Sequence, residues 1–112
     1  MSAGMTKPWI DATSEAIIEI PVTTGVYEIR DKSGELLDIG YAGSREPFGL
    51  RSLLQRLVGE IETDGLQFRY EQHVQYHTRY IELVLNHRAR HDGVLPQRVA
   101  ERRPLVHGHL SP

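Results

Sequence analysis

At 112 residues, with 39% hydrophobic and 25% charged side chains, the chain has the length and composition of one globular domain, able to bury roughly two-thirds of its unfolded surface. It has no cysteine, which excludes disulfides, thiolate metal sites and a cysteine nucleophile, and no apolar run near the roughly 18 residues that span a membrane. The formal net charge of −2 argues against coating nucleic acid by bulk electrostatics, but residues 1–64 hold 6 Lys+Arg against 11 Asp+Glu while residues 79–112 hold 6 arginines against 3 acids, so a local basic surface is compatible with the composition.

The first dozen residues carry Gly4, Pro8 and Trp9 without periodicity and read as a loose leader, with Trp9 covering an edge of the core. They contain no apolar segment of the kind that forms a signal-peptide core, so a cytoplasmic location is the expectation. In AIIEIP, Ile18 and Ile20 flank Glu19 with the period of a strand, and Pro21 would end it as an edge strand. GVYEIR alternates Val26, Glu28 and Arg30 against Tyr27 and Ile29, DKSG supplies turn residues, and ELLDIGYAG returns the chain as an antiparallel hairpin. Leu50, Leu53, Leu54, Leu57 and Ile61 recur at three- and four-residue intervals and predict a helix closed by Gly65. Leu66, Phe68 and Tyr70 then alternate with Gln67, Arg69 and Glu71 as a further strand.

Thr78 is positioned to cap a second long helix with Ile81, Val84 and Leu85 as its apolar stripe and Gly93 as its stop; beyond Pro96 at most one short helical turn is expected. No repeat or linker divides the chain, so residues 1–112 read as one α+β domain: a small antiparallel sheet packed against two main helices, with a core over about residues 22–99 between leader and tail.

The order strand, turn, strand, helix, strand, helix, with Gly25-Val26-Tyr27 opening the first strand and Ile39-Gly40 in the second, resembles the GIY-YIG nuclease superfamily as a compact, divergent member. RDKSGELL is similar to that family's hairpin turn, Leu50-Arg51 to the start of its helix motif, and Glu82 in RYIELVL to its metal-binding glutamate. The resemblance implies a metal-dependent DNA endonuclease in which Tyr27 lies near the nucleophilic water, Arg51 stabilises phosphate and Glu82 holds Mg2+ or Mn2+, with Gly40, Tyr41, Arg56 and Arg88 on the substrate side. Cleaving a phosphodiester requires that water, a base for it and positive charge on the pentavalent phosphate, and a single carboxylate can hold a magnesium ion that keeps most of its waters.

Four positions depart from the family pattern. Asp38 replaces the second tyrosine, Leu53 and Leu57 replace the helix arginine and histidine, and Val99 ends the motif that begins at Pro96. Tyr41 is an odd number of residues from Asp38 and so belongs to the opposite face of the strand. The alternative is therefore a catalytically degenerate relative that binds nucleic acid or a protein partner through the same scaffold. His87 and His91 stand at i, i+4 but lack the intervening glutamate of a hydrolytic zinc helix, and His73, His77, His107 and His109 read as exposed imidazoles.

Overall fold

The computed structural model describes residues 4–102. Its elements in chain order are β1 (Ile10–Asp11), α1 (Ser14–Ile18), β2 (Gly25–Arg30), β3 (Leu36–Ala42), α2 (Gly49–Glu60), β4 (Gln67–Gln72) and α3 (Tyr76–Arg90), followed by a helical segment over residues 97–102. The strands form one antiparallel sheet in the order β1-β4-β2-β3, so this is an α+β fold with GVYEIR at the sheet's interior, between β4 and β3.

The hairpin forms as its alternation predicts. Tyr27 lies opposite Gly40 on one side and Tyr70 on the other, and Gly34 takes φ 94° in the turn while Asp31 accepts from the Ser33 and Glu35 amides. The register shifts between Ile29 and Arg30, opposite Asp38 and Leu36, so β3 carries one extra residue. Leu36 packs into one core cluster and Leu37 into the other, the ordinary alternation of neighbouring strand residues.

One face is covered by α1 and α2. Leu50, Leu53, Leu54 and Leu57 of α2 are buried against Tyr27, Ile29 and Phe68, as the leucine spacing requires, with Ile61 half-buried at the helix end. α2 stops at Glu60, and Gly65, at φ 72°, belongs to the turn into β4. The segment read as an edge strand is helix α1. Thr13 Oγ1 accepts from the Ala16 amide at 3.1 Å, Ile17 and Ile20 turn into the core, and Ile18 is exposed; a spacing of three, together with the threonine cap, overrides the short period-two pattern.

The other face is covered by α3 and residues 97–102. α3 begins at Tyr76 with Gln75 as its N-cap rather than at Thr78, and Ile81 and Leu85 are 45% and 54% exposed instead of buried. The helix docks through Tyr76, Tyr80 and Leu83, with Val84 half-buried beside them. The physical reason lies in the sheet beneath, where Glu28, Arg69 and Glu71 need polar partners; tyrosines, which bury a ring and keep the hydroxyl wet, and Arg79, which reaches Glu71, suit that face better than an aliphatic stripe. α3 ends with Asp92 at φ 53° and Gly93 at φ 84°, the Gly93 amide donating to the Arg88 carbonyl at 2.8 Å.

The leader is part of the fold. Ile10 and Asp11 pair with Phe68 and Gln67 as a short outer strand, Met5 is buried on the α3 side, and the Trp9 ring lies 4.3 Å from the Arg30 guanidinium and 4.2 Å from that of Arg69.

Candidate functional site

The most tightly determined polar group is centred on Asp38. Its carboxylate is 0% exposed, in a strand whose neighbours are Leu37 and Ile39, and it accepts hydrogen bonds from Tyr27 Oη at 3.1 Å, Arg98 Nε at 3.2 Å and Arg102 Nη2 at 2.7 Å. Arg102 Nη2 also donates to the Ile39 carbonyl at 2.8 Å, satisfying a backbone acceptor of edge strand β3. The Tyr27 ring crosses Gly40 to make this contact, and a β-carbon on Gly40 would collide with its hydroxyl. Burial, and then the charge of Asp38, push the Tyr27 phenol far above its ordinary pKa. Burial opposes the charge on Arg102, but the hydrogen bond and charge of Asp38 outweigh it and raise its pKa.

The charges continue outward along α2. Arg98 reaches Glu60 at 3.5 Å, Arg56 lies 4.0 Å from Glu60 and 3.1 Å from Glu46, so this line of arginines is matched by acids. Arg51 is turned elsewhere: its Nε donates to the Ile20 carbonyl at 2.7 Å and ties α2 to the end of α1.

Glu82 lies on α3, across the sheet from the α2-side cluster that holds the Tyr27 ring. Its carboxylate accepts from Arg79 at 3.2 Å, and the same guanidinium binds Glu71 at 2.8 Å. The hydrogen bond from Arg79 lowers the Glu71 pKa. Glu82 thus offers one carboxylate beside a cation that already binds its nearest acidic neighbour, and no cluster of three His, Asp or Glu side chains suited to a metal occurs among the described residues. A magnesium or manganese ion there would have Glu82 as its one protein carboxylate and would keep most of its waters.

Tyr27, Arg51 and Glu82 are therefore not brought together. Of the residues read as substrate-side, Gly40 gives passage to Tyr27, Arg56 is in the ion-pair line, and Arg88 makes no side-chain ion pair among the described residues. The arginine-rich segment is divided in use: Arg79, Arg98 and Arg102 are engaged internally, and Arg103, like His107 and His109, lies outside the described residues. The strand pattern around Asp38 does not by itself reveal Arg98 and Arg102 as its partners. Their i, i+4 spacing places them on one helix face, and a carboxylate between Leu37 and Ile39 in a strand calls for buried cations; those two signals together point to the pairing.

Tyr41 does face away from Asp38. Its ring stacks on Tyr76 with centroids 5.5 Å apart and meets His77 and Tyr80 edge-on at 5.5 and 5.2 Å. Beside it, the loop after β3 and the start of α3 line an open cavity of about 550 Å3. A second cavity, of about 450 Å3, lies between the sheet and the last turns of α3, where the His87 and His91 rings stack at 3.9 Å.

No curated protein and no solved structure matches the chain. Residues 3–90, a span that holds Tyr27, Asp38, Arg51 and Glu82 and stops before Arg98 and Arg102, match the family described as a domain of unknown function, DUF7508, and the chain belongs to that family.

Proposed function

We propose that this chain is a catalytically degenerate, GIY-YIG-like module that binds nucleic acid without cleaving it. The observation that carries the reading is the group of Tyr27, Asp38, Arg98 and Arg102: a buried phenol, 2% exposed, donates its proton to a buried carboxylate itself held by two guanidinium groups, so the hydroxyl is committed to an internal partner rather than presented to a water. The four positions that depart from the nuclease pattern give the same support, since Asp38, Leu53, Leu57 and Val99 are all buried and so serve the interior. The central placement of the Gly25-Val26-Tyr27 strand beside the Ile39-Gly40 strand favours the family resemblance itself. Arg45, Arg88 and Arg90, which have no ion-pair partner among the described residues, are cations available to phosphate.

The test pairs cleavage with binding. Purified protein incubated with supercoiled plasmid in Mg2+ or Mn2+ should leave it intact, while fluorescence anisotropy should register DNA binding that weakens with salt and whose salt slope flattens in an Arg88→Gln/Arg90→Gln variant. Nicking that requires metal and disappears in both Tyr27→Phe and Glu82→Gln would overturn the proposal in favour of the endonuclease. A protein partner is the second reading, favoured by the exposed Ile81 and Leu85 one turn apart on α3.

A further inference from the structure

The aromatic side chains at the end of β3 are set apart from the hydrogen bonds of the Tyr27–Asp38 group. Tyr41 is 40% exposed although it packs on three other rings, so one part of its surface is fixed by Tyr76, Tyr80 and His77 and the rest faces solvent. The neighbouring loop is held against this cluster: the Ser44 amide points at Tyr76 Oη at 3.4 Å, and a β-carbon on Gly43 would sit 3.1–3.3 Å from the Tyr76 ring. Tyr41, Ser44, Arg45, Tyr76 and His77 line the cavity of about 550 Å3.

The charge beside these rings is positive. Glu46 is the acid of that lining, and its carboxylate is taken by Arg56 at 3.1 Å, whereas Arg45 is exposed and makes no ion pair among the described residues. At the far end of the same loop, Phe48 is 68% exposed and held at φ 60°, a backbone region that bulky side chains avoid. Exposed rings at both ends of one loop, with an unpaired arginine between them in sequence, match a ligand that alternates flat aromatic groups with anions. Bases within a duplex are stacked on each other and do not offer their faces; unpaired bases do.

We propose that Tyr41, His77 and Arg45 form a docking site for single-stranded nucleic acid, with an unpaired base against the Tyr41 and His77 rings, a phosphate on Arg45, and Phe48 available to an adjacent base. The inference rests on the reading of the chain as a nucleic-acid-binding module and adds the form of nucleic acid and the place where it binds.

The experiment measures anisotropy of a labelled oligothymidine strand and of a duplex of equal length, using the full chain and variants whose folding is checked by circular dichroism. The strand should bind more tightly than the duplex. Tyr41→Ala should weaken strand binding about tenfold or more, the loss expected for one base–aromatic stack, and Tyr41→Phe should retain it. Arg45→Gln, at an exposed position where folding is not at stake, should weaken binding and lower the salt slope. Tighter binding of duplex than of strand overturns the inference. So does unchanged strand affinity in Arg45→Gln and in folded Tyr41→Ala, and if Arg88→Gln/Arg90→Gln then reduces that affinity, the module reading stands while the site is wrong. Absence of binding to either form by the wild-type chain overturns the module reading as well.

Discussion

The two faces of the sheet are built on different principles although they share β2. On the α2 side, Tyr27 and Ile29 meet Leu50, Leu53, Leu54, Leu57 and Phe68, a largely apolar interior at whose edge the Tyr27 hydroxyl reaches Asp38. On the α3 side, Val26 and Ile39 meet Leu83 and Val99, but the same layer contains the Glu28–Arg69 pair at 2.7 Å, the Arg79 link to Glu71 and Glu82, and Trp9 between two arginines. Burial raises the Glu28 pKa against the opposing effect of Arg69, a sign that ionised groups are held there at some cost. The apolar face supplies stability by removing area from water, and the polar face spends part of that stability on a fixed arrangement of charges and rings. Both cavities that involve α3 lie on the polar face.

The contrast can be broken most severely at Leu54. Replacing this fully buried residue with alanine should cost about 2–5 kcal/mol in urea unfolding, whereas Leu85→Ala on the outer surface of α3 should stay within about 0.5 kcal/mol of wild type. Equal losses at the two leucines would mean that α3 docks through the aliphatic stripe after all.

Asp38 comes next, because it ties the sheet to residues 97–102. Asp38→Ala leaves the Tyr27 hydroxyl and two guanidinium groups without their acceptor, and since Arg98 and Arg102 are partly exposed, the loss should fall near the low end of the roughly 3–5 kcal/mol seen when a buried ion pair is broken. Denaturant midpoints of Asp38→Ala, Arg102→Gln and the double variant measure the coupling. A loss below about 1 kcal/mol, typical of exposed pairs, would remove the observation on which the non-catalytic reading stands.

The smallest expected effect is a pH dependence from the α3 side. Burial, and then the charge of His91, lower the His87 pKa. Between that lowered value and the ordinary histidine value of about 6.5, the unfolded chain binds more protons than the folded one, so stability falls as pH falls through this window and is fully restored above it. Urea midpoints above and below the window, compared between wild type and His87→Gln, isolate this contribution from Glu28, whose buried carboxyl titrates in the opposite sense. An identical pH profile in the two proteins would show that His87 is not held neutral by the fold.

Where a pattern is repeated several times within one short stretch, the sequence by itself determined the structure. The β2–β3 hairpin, the leucine face of α2, the alternation of β4 and the stop after α3 at Gly93 all follow from residues within a few positions of each other, which is the range over which backbone period and turn chemistry act. AIIEIP is too short to decide between Ile18/Ile20 and Ile17/Ile20, and the threonine cap with the packing of α1 on α2 selected the latter. The inward face of α3 was decided by the polar groups of the sheet it covers, which no periodicity within the helix encodes. Asp38 meets arginines that lie 60 and 64 residues further along the chain, so whether its carboxylate would be a ligand, a solvated turn residue or the anchor of a closed ion-pair group depended on which side chains the fold delivered to it, and on the need of any buried charge for partners that only the folded chain can bring within hydrogen-bond distance.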